Sequence, residues 1–282
     1  MLTRTIRAGT ACPFTVNFIT FMASEAQVDA CVEEQVPIAS FHWGHPPTAL
    51  IERLHRGRIK VWEQVGSVEA ARHAVDDGID LVIAQGSEAG GHNYGSLPTL
   101  ALVPAVVDAV APTLVLAAGG IADGRQVAAA LALGADGVWV GTRLVASAEA
   151  NAHPEYKRRL VEADGTDTRL TSLFGPEMPW FNPMRVLANR VVRECGERAT
   201  AAPASGSEQP EIGRTSLLGH DLVLRRFSSF VPMPETEGDL EEMPLLAGQS
   251  VGLVKSVKPA GEIIREMMAE AADVVARLAG TR

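Results

Sequence analysis

The sequence predicts an α/β fold: a TIM (β/α)8-type barrel that lacks its first two βα units and carries a C-terminal helical and loop extension. Three observations predict it. Short apolar runs alternate with helix-like stretches through the first half of the chain. The runs begin about 25 residues apart, the length of one βα unit. Two successive runs end in glycine-bearing turns, as the last two strands of such a barrel do.

The runs are Phe14–Ile19, Pro37–Phe41, Ile59–Val65, Leu81–Gln85, Thr113–Ala117 and Gly137–Val140. They are brief and rich in branched residues, as strands buried on both faces of a parallel sheet are. Ser24–Glu34 reads as a helix, capped by Ser24 and with Glu25 in the turn where the helix dipole favours an anion. Ser67–Asp77 opens with a similar Ser cap, and Asp123–Leu133 stops at Gly134, a residue suited to a helix C-terminus. Ala152–Arg193 reads as helix and loop around the Phe174–Pro183 segment. Gly196–Gly213 is rich in Ala, Ser, Pro and Gly and is expected to be a mobile insertion, a lid loop or a passive linker. Asp221–Arg226 reads as one further strand. The chain closes in a helix, Ala260–Leu278, whose apolar residues Ile263, Ile264, Met267, Met268, Ala271, Ala272 and Val275 predict one buried face. The organisation is therefore a barrel region, 1–150, followed by a helical and lid region, 151–282.

Composition narrows the function. The 282 residues include 25 Lys plus Arg against 34 Asp plus Glu, a net charge of −9. An acidic chain with only 5% aromatic residues lacks the basic and stacking surfaces of a nucleic-acid binder. Cys12, Cys31 and Cys195 are too far apart for a zinc motif or a disulfide framework, so a reducing compartment is expected. Met1–Thr10 has no apolar core of a signal peptide, and the most apolar stretch, Leu100–Ile121, is broken by Pro104, Asp108 and Pro112. A cytoplasmic protein without a membrane partner is expected.

Three strands end in glycine turns: Gln85-Gly-Ser-Glu-Ala-Gly-Gly-His92, Ala117-Ala-Gly-Gly-Ile-Ala-Asp-Gly124 and Val140-Gly-Thr142. Glycine lets backbone N–H groups approach an anion closely. Ordinary βα loops also use glycine, but the last two turns follow consecutive strands, where a barrel places its phosphate site. No Gly-x-Gly-x-x-Gly opens a helix after a strand, and no P-loop is present. A phosphate-bearing cofactor on a barrel is thus preferred to a dinucleotide on an open sheet. Asn17, Gln64 and Gln85 stand at strand ends, where side-chain amides can both donate and accept. His92 follows two glycines and can exchange a proton near neutral pH. His42 and His45 form an H-x-x-H pair without an adjacent third ligand, so no metal is expected, and Ser87 lies in no nucleophile elbow.

These residues carry a resemblance to a known family. Pro13-Phe-Thr-Val-Asn-Phe18, Ser40-Phe-His-Trp-Gly44, the Gln85–His92 and Ala117–Gly124 turns, Gly137-Val-Trp-Val-Gly-Thr-Arg143, Ala247-Gly-Gln-Ser-Val-Gly252 and Lys258-Pro-Ala-Gly-Glu-Ile263 resemble the nitronate monooxygenases, formerly 2-nitropropane dioxygenases. Flavin-dependent enoyl-acyl-carrier-protein reductases and some NAD(P)H:quinone reductases are relatives. The resemblance implies an FMN-binding TIM barrel. It implies cofactor contacts from Asn17, Gln85, Gly90 and Gly120 and a phosphate-closing segment of Trp139, Val140, Gly141 and Thr142; Gly91 and Gly119, beside them in the turns, and Gln64, at an equivalent strand end, are further cofactor-binding candidates. It makes His92 the active-site histidine, taking the α-proton of a nitroalkane or binding the nitronate, with O2 as co-substrate and a carbonyl compound and nitrite as products. Gln249 is a further candidate to face the pocket. The rival expectations are an NAD(P)H-dependent flavin reductase of quinones or enoyl thioesters and a non-catalytic truncated barrel.

The strand count exposes a departure. Six strands are visible where a closed barrel needs eight. If the phosphate turns mark the last two, Phe14–Ile19 is the third, and the family's opening strand and Gln-Ala-Pro-Met-type loop have no counterpart. The expectation is an N-terminally shortened member with unpaired edges that favour a homo-oligomer. A wrong start codon would make the native protein heavier by about 5 kDa, the mass of the ~50 residues in two βα units.

Overall fold

The computed structural model describes residues 2–196, 208–217 and 219–280. After a short helix α1 (Leu2–Gly9), the expected runs form β1 (Thr15–Ile19), β2 (Ile38–His42), β3 (Lys60–Val65) and β4 (Leu81–Gln85). A two-residue β5 (Gly91–His92) belongs to another sheet, and β6 (Leu114–Ala118) and β7 (Gly137–Trp139) complete the first. The order β1-β2-β3-β4-β6-β7 is sequential and every pairing is parallel, as in a barrel wall. The wall ends at β1 on one side and at β7 on the other, so it is a half-barrel.

The period-2 alternation of strands divides the two faces. Ala39, Phe41, Val61, Val82, Ala84, Val115 and Ala117 lie in the main core with the helices. Trp62, Leu81, Ile83, Leu116, Ala118 and Trp139 form a separate cluster on the opposite face. Gln64 and Gln85 fall on this second face, and the register sets Gln64 opposite Ile83 and Gln85 opposite Ala118.

The outer helices are α2 (Glu25–Glu33), α3 (Thr48–Arg56), α4 (Val68–Asp76), α5 (Thr99–Val110) and α6 (Gly124–Ala132). Ser24 and Asp123 each close a capping box, with Gln27 and Gln126 respectively. A one-turn α7 (Thr142–Val145) follows β7. The terminal helix α10 (Ala260–Ala279) packs on α6: a Cβ at Gly124 would meet the Met267 carbonyl at 2.3 Å, and Glu270 accepts the Gly124 N–H at 2.7 Å. The buried face of α10 is narrower than its apolar spacing predicts. Ile263, Met267 and Ala271 are buried, whereas Ile264, Met268 and Val275 are exposed, because one neighbouring helix covers a single i, i+4, i+8 stripe.

Between α6 and α10 the chain holds more strand than expected. After α8 (Pro154–Glu162), β8 (Thr168–Thr171) and β9 (Met184–Leu187) extend β5 into an antiparallel sheet ordered β5-β9-β8, followed by α9 (Arg190–Cys195). The expected insert at 196–213 lies partly outside the described residues, at 197–207. Its far end enters β10 (Glu211–Leu217), which pairs with β11 (His220–Arg225) and β12 (Glu237–Gly238). Among the described residues, no helix is long and apolar enough to cross a membrane.

Candidate active site

The loop after β4 is fixed at almost every residue. Gly86 donates its N–H to the Ala118 carbonyl at 2.9 Å. The Glu88 carboxylate accepts the Thr99 N–H at 2.8 Å and its hydroxyl at 3.0 Å. Asn93 Nδ2 donates to the carbonyls of Ala89 and Gly91 at 2.9 and 3.2 Å. Buried Arg185, from β9, donates to the Ser87 carbonyl at 2.9 Å. Gln85 Nε2 donates to the His92 carbonyl at 3.1 Å, tying the strand end to the histidine.

Beside this loop lies a cleft of about 150 Å³. Gln64, Gln85, Gly90, Gly119, Gly120, Trp139, Gly141 and Thr142 all line it, so eight expected cofactor residues from β3, β4, β6 and β7 meet in one place. Gly119 and Gly120 have φ of +95° and +72°, a conformation that favours glycine. A Cβ at Gly90 would meet Gly248 N at 2.5 Å and Thr142 Oγ1 at 2.9 Å, and Gly248 donates to that hydroxyl at 3.0 Å. Gly248 and Ser250 close the cleft on that side, with Ala89, Ala118 and Ile121 completing its lining. Gln249 does not face this cleft. It lines a neighbouring cavity of about 440 Å³ with Glu88, Gln126 and Asp164.

Gln85 Oε1 is buried in the wall of the cleft without a hydrogen-bond partner. Such an atom is costly unless a ligand donor meets it. The glycine turns, the Thr142 hydroxyl and this acceptor fit a phosphate tail and the polar ring edge of a flavin.

The other expected residues stand apart from the cleft. Asn17 is exposed on the edge strand, and its Oδ1 accepts from Ser40 Oγ at 2.8 Å and faces His42 Nδ1 at 3.0 Å. Gly91 pairs with Arg185 in the second sheet, and Val140 packs against the main core. His92 is only 8% exposed and packs against two aromatic rings, with centroids 4.2 Å from Trp43 and 3.8 Å from Phe181, which also meet each other at 3.9 Å. Its Nε2 is buried without a partner. Burial, assisted by neighbouring His42, pushes its pKa down to about 4, so the ring is neutral at pH 7. Burial holds His42 at about 4 as well.

Sequence reasoning missed both rings that hold His92. Trp43 has a φ of +66°, unusual for so large a residue, and belongs to the quoted Ser40–Gly44 motif. Phe181 lies in the Phe174–Pro183 segment, and only the β5–β9 pairing brings it to the histidine.

A family model described as nitronate monooxygenase matches residues 5–270. The chain is 37% identical over 254 residues to a putative monooxygenase, Rv1533, of Mycobacterium tuberculosis, covering 90% of this chain and 64% of that one. It is 34% identical over 242 residues to the nitronate monooxygenase of Neurospora crassa, covering 81% and 58%. The chain thus spans under two thirds of the length of these curated relatives. Among solved structures, FabK from Thermotoga maritima superposes with a TM-score of 0.80 at 38% identity, covering all of this chain and 84% of that one. The nitroalkane oxidase of Streptomyces ansochromogenes gives 0.75 at 28% identity, covering 98% and 85%.

Proposed function

The chain belongs to the nitronate monooxygenase family, and from that premise we propose that it is an FMN-dependent oxidoreductase. In this reading it oxidises alkyl nitronates, or the parent nitroalkanes, with O2 to a carbonyl compound and nitrite. The observation that carries the proposal is the orphaned Gln85 acceptor inside a glycine-walled cleft, tied by one hydrogen bond to the histidine-bearing strand.

Gly119, Gly120, Gly141 and Thr142 would hold the phosphate, and Gln64, Gln85 and Trp139 would meet the ring. Asn17, outside the cleft, keeps its Oδ1 on Ser40 and His42 and is assigned no contact with the ring. When bound, FMN supplies electron acceptance and the reaction with oxygen. The protein supplies the proton step: neutral His92 takes the α-proton of a nitroalkane through an unpartnered nitrogen, or binds the nitronate already formed. Trp43 and Phe181 hold the imidazole and keep water from it. Small molecules and O2 are the partners in this reading, the cytoplasm its location, and self-association through the open sheet edges its assembly.

The likeness to FabK favours a second reading, an NAD(P)H-dependent flavin reductase of quinones or enoyl thioesters. Mixing the flavin-loaded protein anaerobically with each donor separates the two. Bleaching of the flavin by a nitronate but not by NADH or NADPH supports the monooxygenase, and bleaching by the nicotinamide supports the reductase. A folded chain that retains no flavin after reconstitution refutes both and leaves a non-catalytic barrel.

A further inference from the structure

Outside the flavin cleft, the H-x-x-H pair proves to be divided. His42 turns to Asn17 on the edge strand, whereas His45 turns the other way, toward α4. There it meets His73 and Asp77, and ligand atoms of the three lie within 4.8 Å of one another. We infer that His45, His73 and Asp77 form a site for a divalent transition-metal ion of the Zn2+ class, separate from the flavin cleft.

Four features carry this. His73 and Asp77 are four residues apart at the end of α4, so they share one face, and His45 reaches that face from the loop before α3. His45 is already aimed. Its Nδ1 lies 2.8 Å from Oε2 of Glu63, a buried carboxyl on β3, which directs Nε2 to Asp77 Oδ2 at 3.1 Å. A carboxylate behind a histidine is the usual outer support of a metal-bound imidazole. Thr48 donates its hydroxyl to Asp77 Oδ2 at 2.9 Å and fixes the third ligand in the same way. Finally, His45, Glu63 and His73 line a cavity of about 460 Å³, leaving room for water or another small ligand to complete the coordination.

The donor set selects the class of ion. Two imidazoles and one carboxylate suit Zn2+, Co2+ or Ni2+, whereas Mg2+ and Ca2+ take oxygen ligands. Bonds of about 2 Å at tetrahedral angles put ligand atoms roughly 3.3 Å apart. The His45–Asp77 pair already has that spacing, so only His73 has to close in. The cavity also touches Gln64, which lines the flavin cleft.

The test uses the tag-free, flavin-loaded chain, stripped with chelator and titrated with ZnCl2 by calorimetry, with metal content measured after dialysis. The expected result is one ion per chain and a higher melting midpoint. His73→Ala should weaken binding at least tenfold, and Glu63→Gln should weaken it by roughly 10–100-fold. Flavin content should be unchanged in both. His73 is exposed, so its variant keeps the fold, and an unchanged metal-free melting midpoint verifies this. His55→Ala, an exposed histidine on α3, should bind as the parent does. Absence of saturable binding, or equal affinity in the parent and His73→Ala, overturns the site, and equal affinity in Glu63→Gln overturns the supporting role of the carboxyl.

Discussion

Replacing Gly90 and Gly141 in turn should separate the packing of the cleft from its use. A methyl group at Gly90 would stand 2.5 Å from Gly248 N and 2.7 Å from the Ala247 carbonyl carbon, both backbone atoms. The 247–248 segment would have to retreat, at an overpacking cost of about 1–3 kcal/mol. The retreat would also break the Gly248–Thr142 hydrogen bond, for about 1 kcal/mol more. For a chain of this size, Gly90→Ala should lower the melting midpoint by roughly 5–15 °C and open the cleft. Gly141 is different: nothing lies within 4 Å of its added Cβ, and its φ of −105° suits any residue. Gly141→Ala should therefore leave the apo midpoint nearly unchanged, within about 0.5 kcal/mol. Yet its methyl would occupy the space assigned to the phosphate, so FMN affinity should fall at least tenfold, about 1.4 kcal/mol. Scanning fluorimetry of the apo forms and titration by flavin fluorescence quenching measure both quantities. Gly141→Ala with parental FMN affinity would refute the phosphate assignment, and Gly90→Ala with the parental midpoint would refute the packing.

Other perturbations address the remaining parts of the site. Gln85→Leu removes the orphaned acceptor at nearly constant volume and should weaken FMN binding about tenfold; an unchanged Kd would mean that Oε1 does not meet the ring. His92→Ala should slow nitroalkane oxidation far more than nitronate oxidation, and equal losses would assign the residue to positioning rather than proton transfer. Because burial holds the His92 pKa near 4, Phe181→Ala should admit water and raise it toward 6.5, seen as an upward shift of the acid limb of kcat/KM or in an NMR titration. The same burial sets an acid sensitivity. Unfolded histidines titrate near 6.5 and take up protons first, so the stability contributed by neutral His42 and His92 is full above that pH and is lost as pH falls toward 4. Denaturant titrations at pH 7 and pH 5 should show a smaller loss in His92→Gln than in the parent.

The residues differ in how far they could be read in advance. β1 to β4, β6 and β7 lie within a residue or two of their apolar runs, because short runs of branched and apolar residues mark a strand locally, even at the half-buried edges β1 and β7. The glycine turns were equally legible, since each answers to the shape of its own loop. β5 and β9 were not. A two-residue strand has no periodicity, and it exists only through a partner some ninety residues later. Phe181 reaches His92 through that same pairing, and Arg185 reaches Ser87 through it as well, whereas Trp43 approaches from the turn after β2. His73 gave no signal because an exposed histidine on a helix is ordinary until the fold sets Asp77 and His45 beside it.

The pouch that would receive the cofactor is sealed by Gly248 and Ser250, with Gly248 bonded to a hydroxyl 106 positions earlier in the chain. A polypeptide emerging from the ribosome therefore completes every stave of the sheet well before it owns a container for a prosthetic group. Acquisition of colour during biosynthesis becomes a checkpoint on finished folding, and chains halted short of residue 248 should stay pale however well their strands pair.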